Sequence, residues 1–292
     1  MAPSMRAFVI DNASGDDTLS VLRTHPEVTV LANSANRGFA AAANQGVRVS
    51  PAEFFLLMNP DVTILTPVDK LVEAARQYGL AAGRLVDQQL RNQKGFTIRR
   101  FPTPAALLCE VLGLNRLWPS NPINRNYRYL DRSLDQPGLV EQPAGAFLMF
   151  RRDVWDQLGG LDESFFPIWF EDVDFCRRAV SAGFRIEYVP SVVAEHSGGH
   201  SVRLLAQGCR ALLWCDSLLK YAAKHFRFMA YRAVCLAVVL TSVPRMVAGM
   251  IRERSFAPIA VYIKIVGLAG RKLLSPRRVP PARQESSQNQ WP

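Results

Sequence analysis

The sequence predicts an α/β protein, a mostly parallel sheet with helices on both faces, followed by a C-terminal helical region. Three observations carry this. Between residues 6 and 78, short apolar runs alternate with helix-type segments. Phe54-Phe55-Leu56-Leu57-Met58 is apolar without a break, as a strand covered on both faces must be. Beyond residue 203 the apolar stretches lengthen and basic residues dominate.

Taken in order, residues 6–10 read as a strand that runs into the polar loop Asp11-Asn12-Ala13-Ser14-Gly15-Asp16-Asp17. Residues 18–24 read as a helix capped by Asp16 or Asp17. Residues 28–32 form a second strand. Asn36-Arg37-Gly38 opens an Ala-rich helix over 39–49. Residues 54–58 are the third strand, ending at Asn59-Pro60-Asp61, and 68–78 form another helix. Residues 84–140, rich in Pro, Asn and Arg, read as strands with a long mobile loop over the site. A strand follows at 145–151 and a helix at 152–158, broken by Gly159-Gly160. Another helix spans 171–182, closed by Gly183. A strand spans 185–189, with His196 after it. Residues 204–226 read as an amphipathic helix. The uncharged run 233–244 has 12 residues and a second apolar stretch starts at 256. Neither reaches the roughly 20 apolar residues that cross a bilayer. Residues 275–292 are expected to be disordered.

At 292 residues the chain suits one sizeable catalytic domain plus an appendage. The net charge of +10 is uneven: from Arg203 onward there are 15 Lys/Arg against 3 Asp/Glu, and before it 20 against 22. A basic and apolar last third fits an anionic membrane surface, whereas nucleic acid fits only the charge. The basic residues alternate with apolar helices, not with a base-stacking sheet, so no nucleic-acid partner is expected. The five cysteines form no CxxC or metal-type cluster and read as reduced, buried thiols of a cytosolic setting. The N-terminal residues lack the apolar core of a signal peptide.

Ligands of such sheets bind at the carboxyl ends of strands, where Asp11 and Asp61 lie. Pro60 forces a turn that lets Asp61 project, and a carboxylate there can hold Mg²⁺ or Mn²⁺. The same Pro-Asp pair is also ordinary turn chemistry. Glu171, Asp172 and Asp174 sit in the first turn of a helix, where the dipole favours acids. They also follow the apolar wall 165–170, which can raise a carboxylate toward general-base duty. His196 precedes Ser197-Gly198-Gly199-His200-Ser201 and could ligate metal or support phosphate binding. Asp11 with Asp16, and Asn36-Arg37-Gly38 with Asn44, suit either turns or contacts to a nucleotide base, ribose and pyrophosphate.

In combination these segments resemble the family-2 glycosyltransferases, in particular the bacterial rhamnosyltransferase- and galactofuranosyltransferase-like branch. The segments are 9–16, 36–46, 57–62, 145–152, 160–166, 171–174, and His196 with Ser201. The resemblance covers about residues 6–202 and implies a GT-A, Rossmann-like fold. It implies that Asp11, Asn12, Ser14, Asn36, Arg37, Gly38, Asn44, Asn59 and Asp61 bind the nucleotide sugar. Asp61 and His196 would hold Mg²⁺ or Mn²⁺. Asn59 stands where many relatives carry Asp, which leaves the metal fewer charged ligands. Asp172 matches the general base, with Glu171 and Asp174 supporting it or orienting the acceptor.

The domains expected are a catalytic domain over 1–202, a membrane-associated helical region over 203–274 and a tail over 275–292. One departure matters: relatives carry an apolar strand before the one at 6–10, so the expectation is a longer native polypeptide. The activity implied is inverting transfer from a nucleotide-diphosphate sugar, with dTDP-rhamnose the leading donor, to a glycan or polyprenyl-diphosphate-linked acceptor. The enzyme would work in the cytoplasm, peripheral on the inner face of the plasma membrane. The alternative is a catalytically impaired nucleotide-sugar-binding or scaffold protein.

Overall fold

A computed structural model describes residues 5–198 and 207–275. It is mixed α/β, with a helical unit formed by the C-terminal third. The elements run β1 (Phe8–Asp11), α1 (Thr18–Leu22), β2 (Thr29–Ala32), α2 (Phe39–Val49), β3 (Phe54–Met58), β4 (Val62–Ile64) and α3 (Asp69–Tyr78). Then come β5 (Gly79–Val86), β6 (Ile98–Arg99), α4 (Pro104–Val111), α5 (Leu114–Leu117), α6 (Pro122–Tyr127), β7 (Gly138–Val140), β8 (Gln142–Pro143) and β9 (Phe147–Arg151). The chain ends with α7 (Arg152–Leu158), α8 (Glu171–Ser181), β10 (Arg185–His196), α9 (Gln207–His225), α10 (Phe228–Glu253) and α11 (Ala257–Leu274).

The main sheet has the order β3-β9-β5-β10-β4, with β7 also paired to β10. β3, β5 and β10 run one way, and β4, β7 and β9 return. β5 and β9 are buried almost throughout, as continuous apolar runs require. One face packs α2, α7 and α8 around Phe150, Trp155 and Phe175. The other packs α3 through Leu71 and Ala75.

β1 and β2 form a separate parallel pair, from Phe8 opposite Thr29 to Asp11 opposite Ala32. Among the described residues no ladder joins β1 to β3. Helix α2 covers both: a Cβ on Gly46 would meet Ile10 at 3.5 Å, while Ala40, Ala43 and Val47 share a cluster with Phe55 and Leu57. The apolar residues of β1 are only half-buried.

Three segments differ from the sequence expectation, each for a local reason. Residues 84–140 carry three short helices (α4, α5 and α6) where the sequence suggested a long loop. Two of their prolines sit at helix starts: Thr103 accepts from Ala106 N–H ahead of Pro104, and Asn121 accepts from Asn124 N–H ahead of Pro122. β10 does not stop at Val189. It passes Pro190 through an irregularity in register between Val189 and Val193 and ends on His196. The apolar run at 233–244 is part of a 26-residue helix that continues through Pro244 and Arg245. With a mean hydropathy of 1.9 over its best window, α10 is long and apolar enough to cross a membrane. Only 28% of that window is buried.

The helical unit is not a separable appendage. Tyr221, Val234, Cys235 and Val238 pack with Leu107 and Val111 of α4 and with Phe165 and Val173 beside the acidic segment. Arg245 Nη2 donates to Val111 O at the end of α4, at 2.6 Å.

Candidate active site

The turn after β3 is closed by Val62 N–H to Asn59 O, at 3.1 Å, and Asn59 N–H reaches Ala146 O at 3.1 Å. β4 then pairs antiparallel with the end of β10, Val62 opposite His196. This brings His196 Nε2 to 3.6 Å from Asp61 Oδ1. The imidazole is buried and stacked on Phe96, with ring centroids 5.0 Å apart. Burial lowers its pKa, with the Asp61 charge opposing, so the ring is neutral at pH 7. Its Nε2 has no hydrogen-bond partner among the described residues. A lone pair and a carboxylate facing each other form a donor set that fits a divalent cation. No group of three His, Cys, Asp or Glu gathers there among the described residues. Water and phosphate oxygens would complete the coordination, as is usual for Mg²⁺.

Helix α8 starts after two residues with positive φ, Trp169 (82°) and Phe170 (71°). Non-glycine residues in that region mark local strain, of the kind that gathers at functional sites. Asp172 is partly exposed. Its Oδ2 accepts from Gly145 N–H at 2.9 Å and its Oδ1 from Val173 N–H at 2.8 Å. A Cβ on residue 145 would lie 2.7 Å from Asp172 Cβ, so only glycine permits this approach. Burial pushes the Asp172 carboxyl up, against those two N–H groups and the charge of Arg99. Glu171 is buried with Oε2 unpartnered among the described residues. Burial, and then the charge of Asp172, push Glu171 well above the usual range.

Of the two roles the sequence offered Asp174, supporting Asp172 or orienting the acceptor, its burial leaves only the first. It is fully buried and turned toward α9, with His225 Nε2 at 2.7 Å, Lys224 Nζ at 2.9 Å and Arg178 Nε at 2.7 Å. Burial alone would raise its pKa. His225, Arg178 and Lys224 outweigh burial and bring it down to about 2. Lys224 also pairs with Asp162, Arg177 reaches Tyr221 Oη, and Ser217 Oγ donates to Ile168 O. The helical unit thus braces the segment that carries Asp172.

At the first strand pair, Asp11 is buried and both its oxygens accept from Ser14 N–H at 3.3 Å. Asn12 joins the two strand-end loops. Its Oδ1 accepts from Arg37 N–H at 2.9 Å, and its Nδ2 donates to Asn36 Oδ1 and Gly38 O. Asn36 in turn accepts from Gly38 N–H. Gly38 has φ 83°, and a Cβ there would meet Phe166 at 2.8 Å. Phe39 N–H bonds Pro167 O at 2.8 Å, which ties this loop to the chain leading into α8. Asn44 is the second correction. It is buried and saturated by Leu161 N–H, Leu161 O and Glu163 Oε1, so it holds α2 to the 160–163 turn and offers nothing to a nucleotide.

The structure therefore brings Asp61, His196 and Asp172 to one strand-end edge, since Asn59 bonds Ala146 and Asp172 bonds the adjacent Gly145. Asp11, Asn12, Ser14, Asn36, Arg37 and Gly38 form a second cluster at the end of β1. Ser201, paired with His196 in the sequence comparison, lies outside the described residues. Sequence reasoning missed Gln93, which holds His196, and Arg99. The Arg99 guanidinium lies over Phe96 at 5.6 Å and lowers the pKa of Asp172. Both sit in the segment read as loop. Only the charge of Arg99 beside an apolar Ile98 hinted at a strand-borne cation.

An α/β sheet that gathers an imidazole, a carboxylate facing it and a pair of raised-pKa carboxyls at its strand-end edge is laid out as a group-transfer enzyme. The chain belongs to glycosyl transferase family 2, whose profile matches residues 3–159. A second profile, glycosyl transferase family group 2, matches residues 129–269. The N-acetylglucosaminyl-diphospho-decaprenol L-rhamnosyltransferase of Mycobacterium tuberculosis is 29% identical over 66% of this chain and 67% of its own length. Rhamnosyltransferase WbbL of Escherichia coli is 26% identical over 65% of this chain and 69% of its own length. The mannosyltransferase of Pyrobaculum calidifontis, solved with GDP-mannose and Mn²⁺, is a looser likeness: 14% identity, 91% of this chain, 77% of that one and a TM-score of 0.47.

Proposed function

We propose that this glycosyltransferase moves a sugar from a nucleoside-diphosphate donor to a lipid-linked glycan acceptor with inversion, and that the donor is dTDP-rhamnose. The observation that carries the reading is the Gly145-Ala146 dipeptide, whose two backbone groups hold Asp172 and the turn before Asp61. The rhamnosyltransferase relatives support the choice of sugar, and the decaprenol-linked acceptor named for one of them supports the acceptor class.

In this reading Asp11, Asn12, Ser14, Asn36, Arg37, Gly38 and Asn59 hold the nucleotide, with Arg37 near its phosphates. Asp61 and His196 would hold Mg²⁺ or Mn²⁺, and the ion would supply Lewis-acid stabilisation of the departing diphosphate. Asp172 takes the proton of the acceptor hydroxyl as that oxygen bonds to the anomeric carbon. The bond from the anomeric carbon to the diphosphate oxygen breaks, and its electron pair leaves with the nucleotide. Burial makes Asp172 a stronger base than an ordinary carboxylate, and burial of Glu171 beside it disfavours a second negative charge in the site. Arg99, whose guanidinium lies over Phe96 and whose charge acts on Asp172, would meet the charge that develops.

The outward side of α10 carries Leu236, Leu240, Val243, Val247 and Ile251, all exposed and spaced by three or four residues. Arg227, Arg232, Arg252 and Arg254 flank the stripe. This supports peripheral docking on an anionic membrane face, where a lipid-linked acceptor resides. Flotation with phosphatidylglycerol vesicles tests it: replacing Leu240 and Val247 with Asp should leave the protein unbound.

The central test incubates the full chain with dTDP-rhamnose, Mn²⁺ and a polyprenyl-diphosphate acceptor, and follows the anomeric configuration of the product by NMR. The reading requires inverted product, lost in Asp172→Asn by about 10²–10⁴-fold while donor binding persists. The separate β1–β2 pair favours a second reading, a protein that binds the nucleotide sugar without transfer. Tight donor binding with no turnover on any acceptor would select it.

A further inference from the structure

We propose that Gln93 is a positioning residue that locks the His196 ring in the tautomer whose Nε2 lone pair faces Asp61. It thereby builds the cation site from behind. The proposal rests on the reading of Asp61 and His196 as the cation pair.

The argument is one of donors and acceptors. Gln93 touches His196 twice: its Nε2 lies 2.7 Å from the His196 carbonyl oxygen, and its Oε1 lies 3.1 Å from the ring Nδ1. A carbonyl can only accept, so the amide NH₂ must face it. The amide oxygen is then left for the ring, and an oxygen can bond Nδ1 only if Nδ1 carries the proton. The second contact therefore follows from the first, and Nε2 of the neutral ring is a bare lone pair. That lone pair is the atom 3.6 Å from Asp61 Oδ1, buried and without a hydrogen-bond partner among the described residues. Two acceptors converge there with no proton between them, an arrangement that a cation relieves. A ligating imidazole whose other nitrogen donates to an oxygen is the usual way a metal-binding ring is oriented.

Gln93 is itself held rigidly. Its N–H bonds Leu85 O of β5 at 3.0 Å, and its carbonyl accepts from Phe96 N–H, Thr97 N–H and Thr97 Oγ1. The same turn places Phe96 flat on the imidazole, 8° from parallel. Residues 93–97 thus set both the plane of the ring and which nitrogen bears its proton.

The test uses the full chain with ¹⁵N-labelled histidine. Its four histidines are told apart by a His196→Gln spectrum. At neutral pH the His196 ring should show a protonated Nδ1 and a bare Nε2. Gln93→Leu should give a tautomer mixture and weaken binding of Mn²⁺ alone, by titration calorimetry, about 10–100-fold. Gln93→Glu still accepts from Nδ1–H but sets its second oxygen against the His196 carbonyl, so it should keep the Nδ1–H form and bind Mn²⁺ more tightly than Gln93→Leu. A protonated Nε2 in the wild-type spectrum overturns the proposal, as does Mn²⁺ affinity unchanged in Gln93→Leu. If Gln93→Leu fails to fold, the wild-type spectrum and Gln93→Glu decide, and loss of the Nδ1–H form in the latter counts against it. Wild-type protein that shows the Nδ1–H form but takes up no Mn²⁺ removes the cation reading and leaves the tautomer lock standing.

Discussion

The protein carries acids at strand ends in two places, and the two are built differently. Asp61 follows β3 of the six-stranded sheet and Asp172 opens α8 against it, and backbone groups of the segment just before β9 hold Asp172 and the turn before Asp61. Asp11 stands on a two-stranded sheet whose apolar residues are half-exposed, and the loops beside it are held by Asn side chains. The half assigned to chemistry is therefore backed by a filled core. The half assigned to the nucleotide depends on α2 and a few polar contacts. Precision within fractions of an ångström matters most where bonds form and break, and a rigid sheet supplies it. A site that only binds can tolerate a looser frame.

If the comparison holds, the largest effect belongs to the brace between α8 and α9. Asp174→Ala strips the partner from His225, Lys224 and Arg178 and should destabilise folding by about 3–5 kcal/mol, measured by chemical denaturation. Acid should act on the same group. Its folded pKa of about 2 lies below the ordinary aspartate value of 3.8, so its contribution is present above pH ~4 and disappears as pH falls toward about 2. An Asp174→Ala protein as stable as wild type would show that the helical unit braces nothing.

Next come the two sheets compared directly. Leu148 of β9 has 0% of its surface exposed, and Leu148→Ala should cost about 2–5 kcal/mol. Ile10 of β1 is half-buried, and Ile10→Ala should cost about 1 kcal/mol. Amide exchange should run in the same order, with β1 and β2 exchanging ahead of β5 and β9. Equal protection of both sheets would erase the distinction.

Asn12 sharpens it further. Asn12→Ala removes three bonds to residues 36–38, each with a net contribution of about 0.5–1.5 kcal/mol. The expected outcome is donor affinity weakened about tenfold with kcat unchanged, read by calorimetry and initial rates. A fall in kcat alone would place Asn12 with the chemistry.

How far the sequence revealed this site follows from where each contact lies along the chain. β1, α2, β3 and α8 were legible because their apolar periodicity and loop residues are local signals, and so were Asp61, Asp172 and His196 at element ends. The helices within 84–140 were not, because Thr103-Pro104 and Asn121-Pro122 read equally as turns and as helix starts. β10 was cut short at Pro190, since a bulge depends on the partner strand. The contacts of Asp174 and Asn44 were not legible because their partners, Lys224 and His225, and Leu161 and Glu163, are 50 or more residues away. Gln93 and Arg99 act through residues far along the chain, and nothing local marks a glutamine that orients a distant histidine.

The smallest effect belongs to Arg99, which tests whether Asp172 is the titrating base. Transfer requires Asp172 ionised, so kcat/KM should rise with pH along an acid limb set above the range of an ordinary carboxylate, because burial raises Asp172. The charge of Arg99 holds that value down. Arg99→Leu removes the charge and should move the limb to higher pH, leaving the rate on the alkaline plateau reduced by whatever Arg99 contributes to transition-state charge. Arg99→Lys should restore most of the limb's position, since the charge returns without the planar fork. A limb that stays in place in Arg99→Leu would mean that the group titrating in transfer is not Asp172, and the chemistry would have to move to another carboxylate.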